Sequence, residues 1–469
     1  MRLRRRSVIR GAALAASSML ACGGSASARD QWTVWITTDA PVPQLVDRAL
    51  VEVLDSNGDL ACGDCRRQLG VPIDPLAWPF SFGIAKPAGA GDLRVRVRLY
   101  RANNAGVDGL PDGPTTLDLT SRLPAPLGNT DVRMALTAEC LGMPSDTMAG
   151  SSCVGPERAL IAEKTLELGK PDDAMRPGSW PRAAAVPCAQ GTPGDMVCVP
   201  GGFLILGDAR ALATSSTDLT NNRNERYVTL SAFAIDRDEV TVGTVRTLLK
   251  SGRLSAAPMV RGGAADSVYA TCTYLGPDDP SNDAFPVSCV TATAAASACQ
   301  VLGKRLPTEA EWEWAAGNLG DETRYPWGDV GDPCDFAAVG LGGTPFDTTQ
   351  SESTACRLRV GQPTRPRGLP TRPNDADVTL LGVRQLGGGL SEWVADRLAS
   401  YASPCWNPER AFLLDPRCED PALRVQAIRG SSWADAPGFV AVVGRQGITP
   451  LTQLPTIGFR CARSDGPSP

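Results

Sequence analysis

The stretch Gly303-Lys304-Arg305-Leu306-Pro307-Thr308-Glu309-Ala310-Glu311-Trp312-Glu313-Trp314 is the densest run of charged and aromatic side chains in the chain. Elsewhere both are sparse, at 21% and 6% of residues. Pro307 followed by Thr308 and Glu311 reads as a helix start. The Thr308 hydroxyl caps the free N–H groups of the first turn, and Glu311 completes a capping box from the third helical position. Trp312, Ala315 and Ala316 then fall on one face, with Glu309 and Glu313 on another. The pattern alone describes an amphipathic helix, so its meaning depends on the segments around it.

Upstream, the chain opens as an export signal. Arg4-Arg5-Arg6-Ser7 is a charged head, and residues 11–21 form an apolar run too short to span a bilayer. Met19-Leu20-Ala21-Cys22-Gly23-Gly24 resembles a bacterial lipobox with its leucine displaced by one place, which makes Cys22 the candidate lipidated residue. The arginine run also admits twin-arginine export, and a plain cleaved signal is the alternative. The expected address is therefore the cell envelope, lipid-anchored, with the outer membrane favoured. Five basic residues (Arg2, Arg4, Arg5, Arg6 and Arg10) lie in the first 21 positions, so the net charge of −5 falls to −10 without them. An acidic chain with no basic tract is a poor nucleic-acid binder.

The chain has 15 cysteines, and setting Cys22 aside leaves an even number. In an exported protein that reads as a disulfide framework. Six local couples suggest themselves: Cys62 with Cys65, Cys140 with Cys153, Cys188 with Cys198, Cys272 with Cys289, Cys334 with Cys356, and Cys405 with Cys418. Cys299 and Cys461 are left over. Cys62-Gly63-Asp64-Cys65 could be a redox motif, but it lacks a strand-to-helix setting, which favours a structural clip. No histidine occurs anywhere. Imidazole bases and His-ligated metals are excluded with it.

Residues 22–30 read as a tether. Residues 31–145 read as an antiparallel β-sandwich, immunoglobulin-like in outline. Trp32, Val34 and Ile36 alternate with polar neighbours. Leu93-Arg94-Val95-Arg96-Val97-Arg98-Leu99 has a strict period of two, and Val132, Met134 and Leu136 repeat it. The arginine face of that strand reads as solvated, or as lying against an anionic surface. Residues 146–193 read as a linker with one short helical piece near 159–168. A second domain follows from 194 to 464, in which Thr241 caps one helix and residues 291–302 form another.

The segments of this second domain resemble, in order and spacing, the formylglycine-generating enzyme or sulfatase-modifying factor family. They are Val199-Pro-Gly-Gly-Phe203, Ile235-Asp-x-x-Glu-Val-Thr241, the opening stretch, Pro326-Trp-Gly-Asp329, Glu392-Trp393, Arg429-Gly-x-Ser-Trp433 and Gly458-Phe-Arg460. The resemblance implies an α+β, C-type-lectin-like fold with much irregular structure, preceded here by the all-β sandwich. It implies a surface groove, for which Trp327, Trp393, Arg429, Ser432, Trp433, Arg445 and Arg460 are the candidate lining residues. It also implies a disulfide between Cys299 and Cys461.

Copper-dependent family members bind their metal through two cysteines that follow the Gly-Ser-aromatic motif. The matching positions here are Asp435 and Val440, so no copper site is expected, and without histidine no His-ligated iron either. Ser432 matches the family's active-site serine but has no redox partner. A structural calcium is implied at Gln385, Gly388, Leu390 and Glu392. A second calcium, at Asp335 and Phe336, lacks its acidic ligand near Gly361.

The expected function is a non-catalytic binding or structural module of the envelope, engaging an envelope protein, peptide or glycan. The alternative is a protein-modifying enzyme of the same family with altered chemistry. A third reading is a redox protein working through Cys62 and Cys65.

Overall fold

Alternation in sequence becomes alternation in burial along Arg94–Tyr100, where Val95, Val97 and Leu99 are fully buried and the arginines between them are not. The computed structural model describes residues 30–106, 108–111, 113–172, 175–189, 191–208, 225–262, 268–341, 356, 376–407 and 411–465. Cys22, the tether before residue 30 and Gly361 lie outside these.

The N-terminal part contains β1 (Gln31–Thr38), β2 (Arg48–Leu54), β3 (Arg66–Gly70), β4 (Phe80–Ala85), β5 (Arg94–Tyr100), β6 (Leu117–Arg122), β7 (Asn129–Leu136), β8 (Ser151–Cys153), β9 (Leu160–Ala162) and β10 (Glu167–Leu168). Two four-stranded sheets, β10-β7-β1-β4 and β3-β2-β5-β6, enclose one core. Three expectations are corrected here. β1 and β7 pair in parallel, Val34 opposite Val132, which the chain reaches by passing through the other sheet in between. The piece near 159–168 is strand, not helix. Residues 146–193 are no linker: β10 joins the sheet beside β7, and Trp180 is buried in the core. The polar composition misled because side chains such as Asp146, which accepts from the Met148 and Ala149 amides, satisfy backbone groups in turns.

The arginine stripe is likewise neutralised within the fold. Arg96 Nε donates to Asp118 at 2.9 Å, Arg98 to Glu52 at 2.8 Å, and Arg94 pairs with Glu163 at 3.2 Å. Glu52 and Asp118 stand opposite Arg96 and Arg98 on β2 and β6, so each arginine meets a carboxylate on a flanking strand.

The C-terminal part contains β11 (Met196–Val199), β12 (Gly202–Leu206), β13 (Arg226–Leu230), β14 (Phe233–Asp236), α1 (Val242–Lys250), α2 (Ala292–Val301), α3 (Glu309–Ala316), β15 (Ser391–Arg397), β16 (Phe412–Leu414), β17 (Gln426–Arg429), β18 (Arg445–Ile448), β19 (Ile457–Gly458) and β20 (Ala462–Ser464). Its sheets are β11-β14-β20, β12-β13-β16 and β18-β17-β15-β19, joined by long irregular segments. Thr241, Thr291 and Thr308 cap α1, α2 and α3, Asp332 caps a further single turn at Pro333–Phe336, and Thr308 with Glu311 forms the capping box.

The two parts share packing. Trp180 lies 5.2 Å from Phe203 and 4.9 Å from Phe412, ring centre to ring centre. Arg101 of the sandwich pairs with Glu322 at 3.0 Å.

Every expected cysteine couple is a disulfide. In the sandwich part, Cys62 is bonded to Cys65 and Cys140 to Cys153. Cys188 is bonded to Cys198 on β11, which fastens the segment after Trp180 to the first sheet of the C-terminal part. Within that part, Cys272 is bonded to Cys289, Cys334 to Cys356, and Cys405 to Cys418. None of these six closes more than 22 residues of sequence, so each pins an irregular segment locally. Cys299 is bonded to Cys461 across 162 residues. No described cysteine is left as a metal ligand or a free nucleophile, because Cys198, Cys289 and Cys356 are spent on these bonds as fully as the rest.

Candidate functional site

Helix α3 is not amphipathic. All eight of its residues are buried, the three glutamates included. A carboxylate out of water must be paired, and each glutamate has its own arginine from a distant segment or from the turn before the helix. Glu309 pairs with Arg445, Glu311 with Arg305 at 2.6 Å, and Glu313 with Arg429. A fourth pair, Glu392 with Arg460 at 2.6 Å, touches the helix through Trp312, whose Nε1 donates to Glu392 Oε2 at 2.9 Å. Arg445 lies 3.9 Å from the centre of the Tyr401 ring, and Arg429 lies 5.2 Å from that of Trp312. Burial, the largest influence, would by itself lower the Arg445 pKa, but the charge and hydrogen bond of Glu309 together with the Tyr401 side chain outweigh it, and the guanidinium is held more firmly protonated than usual.

Other buried acids surround this frame. Asp396 accepts from the Glu309 and Cys418 amides at 2.7 Å each. Burial, reinforced by the Glu309 charge, pushes its carboxyl up to about 7. Asp377 accepts from the Gly387 amide, and burial pushes it up to about 7 as well. Glu239 accepts from the Leu390 amide at 3.0 Å, and burial raises it well above the ordinary carboxylate range. The opening motifs contain Glu239 but no cue to its burial, and Asp377 and Asp396 belong to no motif singled out above.

The groove candidates occupy other places. Arg429, Arg445 and Arg460 are at most 2% exposed, with their charges spent on Glu313, Glu309 and Glu392. They are core struts and do not line a groove. Trp393 and Trp433 are also buried, donating to the carbonyls of Val290 at 2.9 Å and Pro455 at 3.2 Å. Trp327 is half-buried, stacked between Tyr325 and Phe336 at 4.9 and 5.1 Å, so both ring faces are covered. Ser432 is buried too, and its amide and hydroxyl donate to Asp435 Oδ2 at 2.6 and 2.8 Å. Asp435, raised by burial, is thus committed to Ser432, and Val440 is buried among apolar neighbours.

Copper does not fit: positions 435 and 440 offer no thiolate, and every described cysteine is in a disulfide. Calcium through Glu392 does not fit either, because both of its oxygens accept from Arg460 and one also from Trp312. Gln385, Gly388 and Leu390 are left without their carboxylate. Among the described residues no three Asp, Glu or Cys side chains are placed to share a metal ion.

A cleft of about 390 Å³ opens to solvent at the start of α3. Leu230, Phe233, Leu306 and Ala395 form its apolar lining, while Arg305, Glu311, Asp415, Arg417, Ser464 and Asp465 supply charge and polarity. Arg305 donates to both Glu311 oxygens at 2.6 Å and to the Ser464 hydroxyl at 3.1 Å. Asp415 is fixed from across the cleft by the Ser231 amide and hydroxyl, each at 2.7 Å. Arg305 and Glu311 stand in the stretch quoted at the outset. Asp415, Arg417 and Asp465 come from segments with no motif, and only the fold brings them there.

Together these features define an α+β domain whose buried helix is held by arginine–glutamate pairs beneath one open cleft. A model of the sulfatase-modifying factor enzyme 1-like domain matches residues 182–465, and the chain belongs to that family. The chain is 27% identical over 320 residues to hercynine oxygenase of Mycolicibacterium smegmatis, covering 63% of this chain and 64% of that one. It is 28% identical over 200 residues to the bovine (Bos taurus) "inactive C-alpha-formylglycine-generating enzyme 2", covering 39% and 52%. It is 27% identical over 323 residues to a formylglycine-generating enzyme of Streptomyces coelicolor, covering 60% and 94%. The chain thus spans less than two thirds of the first two relatives.

Proposed function

We propose that this chain is an exported, lipid-anchored protein whose sulfatase-modifying-factor domain is a non-catalytic binding module of the cell envelope. The observation that carries the reading is the state of the cysteines. The two family thiol positions are Asp435 and Val440, and every described cysteine is in a disulfide. With no histidine in the chain, neither thiolate-bound copper nor His-bound iron has ligands. The name of the bovine relative describes a family member without activity, which is consistent with this reading. Seven disulfides favour an oxidising compartment, and Cys22 after its short apolar run favours a lipid anchor. The C-type-lectin-like description suits the few helices, small sheets and long irregular segments.

The sandwich acts as a spacer in this reading. The chain enters it at Gln31, and the Trp180 and Arg101 contacts to the C-terminal part lie at the far end of the strands, a separation of about 26 Å for eight residues. The cleft would then be held off the membrane by the sandwich, available to an envelope protein, peptide or glycan. The test is copper-dependent oxygen uptake with cysteine-containing peptides. No uptake above buffer is expected. Sustained turnover would overturn the reading in favour of a protein-modifying enzyme with altered chemistry. Labelling of free thiols tests the redox alternative, with no rapidly labelled Cys62 or Cys65 expected.

A further inference from the structure

We infer that the cleft at the start of α3 binds a cationic group on an aliphatic stem, namely the lysine or arginine side chain of a partner peptide. The inference rests on the reading of the domain as a binding module and names its ligand.

Size and lining come first. A volume of about 390 Å³ accommodates one long side chain with its flanking backbone, within the range of small-ligand sites. Leu230, Phe233 and Leu306, themselves almost wholly covered, back the cleft, and half-buried Ala395 adds apolar surface against which a methylene stem can lie. Lysine and arginine bury such stems while their charged ends remain among polar groups.

Charge decides the sign of the ligand. Both guanidinium groups of the cleft already have carboxylate partners: Arg305 has Glu311 at 2.6 Å, and Arg417 has Glu419 at 3.0 Å. Two carboxylates of the cleft are in no ion pair among the described residues. Asp415 accepts from the neutral Ser231 amide and hydroxyl and lies within electrostatic reach of Arg305 without bonding to it, and Asp465 accepts from the Ala189 amide. The lining therefore holds more negative than positive charge, and the excess sits on Asp415 and Asp465. An anionic ligand would have to displace Glu311 or Glu419, whereas a cation meets acceptors that need no rearrangement.

The site is also pre-set. Asp396 holds the Cys418 amide at 2.7 Å, and Cys418 is tied to Cys405, which anchors the loop carrying Asp415 and Arg417. On the opposite wall, the Thr308–Glu311 capping box and the buried helix behind it fix Arg305 and Glu311. A pre-formed site loses less binding energy to ordering.

The experiment is calorimetric titration of the full chain at low salt with four probes: an acetylated, amidated tripeptide Gly-Lys-Gly, its norleucine and glutamate counterparts, and 1,5-diaminopentane. Saturable binding of the lysine peptide is expected, with the norleucine and glutamate peptides at least tenfold weaker. Tighter binding of the peptide than of the diamine identifies a peptide source, and equal binding identifies a free amine and overturns the peptide assignment.

Asp465→Asn and Asp415→Asn should each weaken lysine-peptide binding about tenfold. Arg417→Ala should tighten it, an effect that mere damage to the cleft would not produce. Unchanged affinity in both aspartate variants, or equal binding of the norleucine peptide, overturns the inference. Failure of every probe in a protein that also shows no oxygen uptake rejects this ligand class and leaves the binding-module reading standing. Oxygen uptake with turnover rejects the module reading itself.

Discussion

Replacing Glu309 by glutamine separates charge from shape at the centre of the molecule. Neither Glu309 nor Arg445 has any side-chain exposure, so the change removes a charge that water cannot replace. Glutamine keeps the volume, so the cavity contribution is small. Arg445 would retain the Ala399 carbonyl at 2.8 Å and the Tyr401 ring at 3.9 Å, but it would lose the charge of its Glu309 partner in the buried interior. Breaking a buried pair from one side costs about 3–5 kcal/mol. One effect opposes this. Glu309 helps to raise Asp396, and its removal relieves that repulsion by on the order of 1 kcal/mol. A net loss of about 2–4 kcal/mol is expected, or roughly 3–7 °C in melting temperature.

The assay is thermal and urea unfolding of Glu309→Gln, Arg445→Met and the double variant. Because a buried pair replaced on both sides by uncharged groups is often close to neutral, the double variant should recover most of the loss. A Glu309→Gln protein that melts within about 1 °C of the parent would refute the reasoning. So would a double variant less stable than either single one.

Three further outcomes follow from the same geometry. Glu311→Ala removes the capping box and the partner of Arg305, but Arg305 is 37% exposed, so the loss should be nearer about 1–2 kcal/mol and smaller than for Glu309→Gln; urea unfolding checks that order. Trp180→Ala empties the junction with Phe203 and Phe412 and should cost about 3–5 kcal/mol, with proteolysis appearing between the sandwich and the C-terminal part; an unchanged digestion pattern would count against a shared core. Asp377 and Asp396 have folded values of about 7 against 3.8 unfolded, so the folded chain binds more protons between about pH 4 and 7. That contribution is fully present below about pH 4 and is lost as pH rises through 7, so the melting temperature should be higher at about pH 5.5 than at about pH 8, and the reverse order would contradict the burial of these acids.

Much of the chain was legible before any coordinates. The period-two run at Leu93–Leu99 became β5, the Thr241 and Thr308 caps start their helices, the segment 291–302 is helical over Ala292–Val301, and the local cysteine couples all close, Cys188 with Cys198 and Cys272 with Cys289 among them. These features depend on neighbours in sequence: backbone groups that a nearby side chain can satisfy, faces that repeat every second residue, and cysteines a few positions apart. The pairing of Cys299 with Cys461 is the exception, since it followed from family resemblance.

Burial was not legible in the same way, because it depends on what comes back from far along the chain. The family resemblance marked Glu309, with Arg305 and Glu311, as a buried or partly buried anchor, but nothing marked Glu313, and only the fold brings Arg445 and Arg429 to these glutamates from more than a hundred residues away. Arg429, Arg445 and Arg460 read as groove residues because the family resemblance implied a groove, and only the fold supplies the carboxylates that let charged side chains be buried. Residues 146–193 read as a linker because their partners, Arg133 and Phe203 among them, lie in other segments. The stretch from Gly303 to Trp314 names its own caps. Which of its charges are core and which face the cleft was settled by tertiary contacts, because a carboxylate's role is set by the charge and solvent around it.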